Sequence, residues 1–224
     1  MSGCRDRRST GSTRSPDPLR TLVIETATAA CSVAVMEDDR ILDFRHEVVG
    51  RGHAERLVPM IAELPDAGRA ERILVDCGPG SFTGVRVGLA AARGLAIGWS
   101  AQVFGFSSLA LVAAGAFDRR LAADTLAVVL EGGHGEVFVQ EFTADPLTEA
   151  APFASLRPEA ALERLAGQLA VGNGVHRLQA LDAGIAAAEA LPDARDARLL
   201  PAALASLAPR PLYGRAPDAK LPQP

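Results

Sequence analysis

The chain has 224 residues, of which 48% are hydrophobic and 22% charged, and its formal net charge is -4 at pH 7. This balance is typical of a globular protein, and no apolar run reaches the roughly 18 residues that a membrane span requires. Proteins that bind nucleic acid unaided usually present a basic surface to the phosphates. The acidic balance therefore disfavours direct, unaided binding of RNA, and we predict a cytoplasmic protein.

The three cysteines, Cys4, Cys31 and Cys77, are odd in number, far apart and in no CxxC arrangement. This spacing argues against a disulfide framework and against a zinc site. We interpret Cys31 and Cys77 as small buried side chains in a reducing compartment. Residues 1–19 are rich in Ser, Thr, Arg, Pro and Gly and lack the apolar core of a secretory signal, so we predict a disordered tail there.

Order is expected to begin at residue 20. Apolar and β-branched runs predict strands at residues 21–25, 31–36, 40–48 and 72–77. Apolar residues spaced by three and four predict a helix over residues 52–64, bent at Pro59 because proline removes a backbone donor. Glu25 and Thr26 end the first strand, a common position for polar functional groups.

A second helix is predicted at residues 85–98, and it is nearly apolar all round. Glycine inside a helix costs about 1 kcal/mol relative to alanine, so internal glycines indicate close approach of another backbone. Gly84, Gly88 and Ala92, spaced by four, form a strip of small residues. We interpret this strip as a surface for close packing against another helix, with burial in the protein's own core as the alternative.

The second half of the chain has weaker patterns. Strands are predicted at residues 102–105, 125–130 and 136–143, and helices at residues 107–117, 157–166, 175–183 and 198–207. Residues 209–224 lack periodicity and are predicted to form a tail. The order of elements suggests a duplicated α/β architecture, with lobes at residues 20–105 and 106–208.

One motif is specific enough to suggest a family. The run GPGSFTG at residues 78–84 leads directly into the Gly-rich helix, and HAERLVPMI at residues 53–61 precedes it. Together with the opening strand, with Gly172-Asn-Gly174 and with Tyr213-Gly-Arg215, these segments resemble the TsaB family. The resemblance extends from about residue 22 to residue 220, although Glu25 stands where the family usually has Asp.

The resemblance implies an α/β fold of the actin, sugar-kinase and Hsp70 type, with two related lobes, mixed sheets and a cleft between them. It also implies a non-catalytic role in threonylcarbamoylation of the adenosine next to the anticodon of tRNAs that read A-starting codons. The implied partners are the transferase TsaD and the small ATPase TsaE, with a homodimer when the protein is isolated and tRNA contacted only through the complex. We predict no cofactor and no metal.

The resemblance further implies that the two helices of the first lobe pack against the same helices of TsaD. The residues predicted to contact the partner are His53, Arg56, Leu57, Met60, Leu64, Val85, Arg86, Leu89, Ala92 and Arg93. A structural role is predicted for the loop Gly78, Pro79, Gly80, Ser81, Phe82, Thr83 and Gly84. Ser81 or Thr83 is interpreted as the N-cap of the helix that follows, because no His/Asp pair is placed to activate a nucleophile.

Local signals for chemistry are weak elsewhere. The transferase relatives carry an HxxxH pair where this chain has Ser108 and Val112, and no two of the four histidines are three or four apart. We interpret His53 as a polar contact at a helix end rather than as a ligand. The loop at residues 78–84 lacks the GK[ST] ending of a P-loop. An ATP-binding kinase or ATPase using Glu25 and the turn at residues 132–135, and a metalloprotease, are kept as alternatives.

Overall fold

The computed structural model describes residues 18–214 of the 224-residue chain. Most of the tail predicted at residues 1–19, together with Cys4 and residues 215–224, lies outside the described residues. Within the described range, no helix combines the length and the apolar character needed to cross a bilayer.

The first sheet has five strands in the order β3-β2-β1-β4-β5. These strands are β1 (Arg20–Glu25), β2 (Ala30–Glu37), β3 (Arg40–Val48), β4 (Arg72–Asp76) and β5 (Gln102–Phe106). The hairpin strands β1, β2 and β3 pair antiparallel, whereas β1, β4 and β5 pair parallel, so the sheet is mixed. Its helices are α1 (His53–Ala62), α2 (Phe82–Trp99) and α3 (Ser108–Asp118).

The second sheet has the order β11-β10-β6-β7-β8, with β9 also paired to β7. Its strands are β6 (Thr125–Glu131), β7 (Val137–Thr143), β8 (Thr148–Glu149), β9 (Ala154–Leu156), β10 (Ala170–Val171) and β11 (Ala187–Ala188). The helices α4 (Pro158–Leu165) and α5 (Val175–Gln179) belong to this half, and a 3₁₀ helix at Ala194–Leu199 follows it.

Successive side chains of a strand point to opposite faces of its sheet, so each sheet can pack on both sides. The core accordingly consists of three apolar layers. On one face of the first sheet, Leu22 and Ile24 pack with α1 and α2. On the other face, Val23 packs in a cluster that contains α3 and residues of the second sheet. Residues of α4 and α5 cover the outer face of the second sheet. The helix α3 therefore lies between the two sheets, which explains why it is buried from Ser108 to Ala116.

Most predicted elements are confirmed to within a few residues. The helix predicted at residues 198–207 is wrong, because Pro201 lacks a backbone donor and Leu207 instead bonds to Gly105 of β5. The helix predicted at residues 175–183 ends at Gln179, and α2 begins three residues earlier than predicted. The short strands β8 to β11 were not predicted, because two or three residues show no periodicity of their own. The lobe boundaries stay predictions.

Candidate functional site

The loop between β4 and α2 is organised by side chains at its two ends. The Oδ1 atom of Asp76 accepts a hydrogen bond from the Gly78 amide at 2.6 Å. The Oγ atom of Ser81 accepts one from the Gly84 amide at 3.2 Å, which satisfies a free donor in the first turn of α2. Ser81 is therefore the N-cap, as predicted, and Thr83 lies exposed inside the helix.

The small residues of α2 pack against the protein's own sheet. A Cβ atom at Gly84 would lie 2.1 Å from the carbonyl oxygen of Thr26, and one at Gly88 would lie 2.5 Å from the Thr26 Oγ1 atom. Ala92, the third member of the strip, is completely buried in the same core. The alternative of burial in the protein's own core therefore holds for this strip, which lets α2 approach the end of β1.

Most of the residues predicted to contact a partner are also buried in the described chain. Six of them, Leu57, Met60, Leu64, Val85, Leu89 and Ala92, are at most 4% exposed and pack on the first sheet. His53 is 7% exposed, and its Nε2 atom lies 2.9 Å from the Ala30 carbonyl oxygen, which confirms the interpretation of a polar contact at the helix end. These side chains pack between the two helices and the first sheet, so they are not accessible to a partner protein.

The three arginines among the predicted contacts lie nearer the surface, where each bonds within the chain. Arg56 forms ion pairs with Glu47 and Glu63. Arg86 donates to the Tyr213 hydroxyl, and Arg93 donates to the Pro209 carbonyl oxygen, both at 2.9 Å. The amide of Leu212 also donates to the Cys77 carbonyl oxygen, so the described part of the predicted C-terminal tail packs beside the loop and α2.

The helix pair nevertheless has an exposed apolar side that the sequence interpretation missed. We call it the exposed helix face, and it consists of Val58, Phe82, Ala90, Gly94 and Ile97. Val58 is 57% exposed, Phe82 70% and Ile97 85%. A Cβ atom at Gly94 would meet no atom within 4 Å. The spacing of four and three between residues 90, 94 and 97 places them on one side of a helix, but the sequence did not show that this side is the exposed one.

A second feature lies at the carboxyl ends of β1 and β4, where Glu25 and Asp76 are both completely buried. The Oε1 atom of Glu25 accepts a hydrogen bond from the Ala27 amide at 2.7 Å. The Ser108 hydroxyl, at the start of α3, donates to the Asp76 Oδ1 atom at 2.9 Å. Burial raises the pKa of Glu25 well above its usual range and that of Asp76 to about 7. Asp76 was not singled out from the sequence, although an acid ending an apolar strand is a usable signal.

Ser108 and Val112, the positions expected to replace the transferase histidines, lie inside the protein. Ser108 bonds to Asp76, and Val112 is 1% exposed between the two sheets. Across residues 18–214, no three His, Cys, Asp or Glu side chains are grouped so that they could hold a metal ion. The thiols of Cys31 and Cys77 are buried, as predicted, and burial raises the pKa of both to about 12.

The elements required by the kinase alternative are not arranged as an open nucleotide site. Glu25 is buried and bonded to the backbone. The turn at Gly133–Gly135 connects β6 and β7, and the preceding Glu131 forms an ion pair with Arg177. His134 has a positive φ of 58° within that turn. The Glu25 carboxylate, on the central strand of the first sheet, is therefore closed off from solvent and from a nucleotide in this arrangement.

Comparison with known proteins identifies the family. The family model described as TsaD, tRNA N6-adenosine threonylcarbamoyltransferase, matches residues 45–163, more than half of the chain. The Escherichia coli K12 protein named tRNA threonylcarbamoyladenosine biosynthesis protein TsaB is 36% identical over 132 residues, covering 57% of this chain and 56% of that protein. The chain thus spans about half the length of the curated TsaB relatives that it matches.

Two longer matches extend over nearly the whole chain. An uncharacterised protein of Mycobacterium tuberculosis is 34% identical over 219 residues, covering 89% of this chain and 93% of that protein. A crystal structure described as an uncharacterised Pseudomonas aeruginosa protein with similarity to peptidase YeaZ has a TM-score of 0.74 and 30% identity, covering 88% of this chain and 100% of that one. The predicted α/β fold class with mixed sheets is confirmed. The chain belongs to the TsaB family of the TsaD-type superfamily.

Proposed function

We propose that this chain is a non-catalytic subunit of the cytoplasmic machinery that forms the threonylcarbamoyl group on tRNA adenosine next to the anticodon. Its role is to bind and activate a TsaD-type transferase through the exposed helix face. The relatives named TsaB support the pathway, because their name assigns them to threonylcarbamoyladenosine biosynthesis. The observation on which the proposal depends is the apolar exposure of the helix pair.

The exposed helix face has the properties of a contact surface between helices. Ile97 is 85% exposed and Val58 57% exposed, so both side chains would gain burial on association. Ala90 and Gly94 lie on the same side of α2 and leave room for a second helix to approach closely. A stable interface buries roughly 800 Å² per partner, and this helix pair offers its outer side for that purpose.

The chemistry of the buried positions supports a role without catalysis. Ser108 and Val112 stand where the transferase relatives have their histidine pair, and a valine cannot ligate a metal ion. Ser108 is in addition engaged with Asp76. The kinase or ATPase alternative predicts heat on titration with ATP and magnesium that is lost in Glu25→Gln, and the metalloprotease alternative predicts stoichiometric metal in the purified protein.

The proposal is tested by co-purification of the tagged chain with the TsaD-type transferase from the same genome. Ile97→Glu and Val58→Glu place a charge on the exposed helix face and should abolish pairing. The matched control is Leu181→Glu, because Leu181 is 50% exposed but lies outside the helix pair. Thermal melts should show that all three variants remain folded. Unchanged pairing of Ile97→Glu and Val58→Glu would contradict the proposal.

Three further interactions are proposed, with a TsaE-type ATPase, with tRNA and with a second copy of the chain. A TsaE-type ATPase is proposed to dock on the pair of subunits, and tRNA is proposed to be contacted only through the complex. In the absence of the transferase, the exposed helix face is proposed to pair with a second copy of the chain. Sedimentation should then show a dimer for the wild type and a monomer for Ile97→Glu, and a wild-type monomer at micromolar concentration would contradict self-association.

A further inference from the structure

Glu25 and Asp76 are held side by side by the pairing of their strands. In the parallel ladder between β1 and β4, Ile24 is paired with Val75, so the next residues of the two strands are neighbours. Adjacent strands are about 4.8 Å apart. Both carboxyl groups are completely buried, and each acts on the ionisation of the other. Two ionised carboxylates are both acceptors, so a hydrogen bond between the two groups would require a proton.

The hydrogen bonds around the pair leave two oxygens without a donor. Glu25 Oε1 and Asp76 Oδ1 accept bonds from amides and from Ser108, whereas Glu25 Oε2 and Asp76 Oδ2 have no hydrogen-bond partner among the described residues. An unpaired acceptor that is buried costs free energy. A proton on either group converts one unpaired oxygen into a donor for its neighbour and satisfies both.

In the part of the chain that the structure describes, the charged groups around Glu25 and Asp76 do not include a cation that neutralises the two carboxylates. The Asp193 carboxylate, just before the 3₁₀ helix, repels a negative charge on Glu25 and so raises the Glu25 pKa. Asp193 is itself paired with Arg195, and its carboxylate lies 3.7 Å from the His46 ring. The thiol groups of Cys31 on β2 and Cys77 after β4 face the pair as well. The Arg93 guanidinium acts on Cys77 from α2. Two ionised carboxylates would therefore remain buried without a neutralising cation.

We propose that Glu25 and Asp76 share one proton in the folded protein, and that this proton holds the β1–β2 turn and the loop before α2 together. The two carboxyl groups bond to one segment each, Glu25 to the Ala27 amide and Asp76 to the Gly78 amide. The two segments then meet directly, because the Ser81 amide donates to the Ala27 carbonyl oxygen at 2.7 Å. Loss of the proton separates the carboxylates and loosens this junction.

The direction of the pH effect follows from the ionisation equilibria. Burial raises the pKa of both groups above the usual values of about 4, so the folded protein binds a proton that the unfolded chain has released. The stabilisation is complete below about pH 4 and is lost as the pH rises through the folded pKa of Asp76, about 7. In that window, the unfolding equilibrium constant increases about tenfold for each unit by which the pH rises, for each proton that only the folded state binds.

The test is urea unfolding between about pH 5 and pH 8 in the wild type and in Glu25→Gln. The glutamine amide donates permanently to Asp76, so the variant should need no shared proton. As the pH rises, the unfolding equilibrium constant of the wild type should increase about tenfold per pH unit, and that of Glu25→Gln should lack this factor of ten. Glu37→Gln, at the far end of the same hairpin, is the matched control and should keep the wild-type slope. Equal slopes in the wild type and Glu25→Gln would overturn the proposal.

Two further measurements keep the test decisive. Isotope-edited infrared spectroscopy of the wild type should detect a protonated carboxyl group at about pH 6, and its absence would overturn the proposal even if Glu25→Gln does not fold. Magnesium or manganese chloride should stabilise the wild type no more than sodium chloride of equal ionic strength. A specific stabilisation by the divalent ion would show that a cation neutralises the pair, and it would overturn the shared proton.

Discussion

The guanidinium group of Arg86 lies 3.3 Å from the centroid of the Phe82 ring, and its Nη2 atom donates to the Tyr213 hydroxyl at 2.9 Å. Phe82 is the first residue of α2, and Tyr213 belongs to the last segment that the structure describes. The contact therefore ties that segment to the start of the helix that bears most of the exposed helix face.

Arg86→Ala should release the segment around Tyr213. A cation–π contact at an exposed site contributes about 0.5–1 kcal/mol, so the free energy of unfolding should fall by about that amount, and chymotrypsin should cleave faster after Tyr213. Tyr213→Phe keeps the ring and should have a smaller effect. Arg69→Ala, another exposed arginine, is the control and should not change cleavage. If Arg86→Ala is cleaved at the wild-type rate, the contact does not hold the segment.

Gly88 and Gly94 should respond in opposite directions to the same substitution. Gly88→Ala forces a Cβ atom to 2.5 Å from the Thr26 Oγ1 atom, and such overpacking costs about 1–3 kcal/mol. Gly94→Ala meets no atom within 4 Å and should stabilise α2 by up to about 1 kcal/mol, because alanine favours the helix. Urea unfolding of both variants measures the difference, and a destabilised Gly94→Ala would mean that α2 is packed differently.

Glu141→Gln should be less stable than the wild type at neutral pH only. The Glu141 carboxylate on β7 accepts two bonds of 2.6 Å from Arg164 on α4, and this arginine lowers the pKa of Glu141. A lowered folded pKa stabilises the protein above the unfolded value of about 4.3, and the stabilisation is lost as the pH falls through the folded pKa. Because the pair is partly exposed, we expect less than about 1 kcal/mol.

The control for this prediction is the same substitution in an Arg164→Ala background, where Glu141→Gln should have little further effect. Urea unfolding at about pH 7 and at about pH 2, below the lowered pKa of Glu141, provides the comparison. A difference between wild type and Glu141→Gln that stays constant over this range would contradict an ionic contribution.

Local patterns were sufficient for most of the secondary structure and for contacts close in sequence. The alternation in the opening strands, the N-cap at Ser81 and the buried cysteines all depend on a few neighbouring residues, and each was predicted. The helix predicted at residues 198–207 failed because Leu199, Leu200 and Leu204 pack against the cluster between the two sheets and Leu207 is bonded to Gly105 of β5. Apolar side chains indicate burial there without specifying a helix.

The sequence by itself determined the family, the order of the strands and helices along the chain and the presence of an apolar helix pair, because motifs and periodicity are properties of short segments. Only the tertiary structure decided which side of α2 is buried, since a helix that is apolar almost all round shows no preferred face. The same holds for Glu25 and Asp76, which are far apart in sequence. They become neighbours only because β1 and β4 pair in parallel, and that pairing depends on the whole sheet.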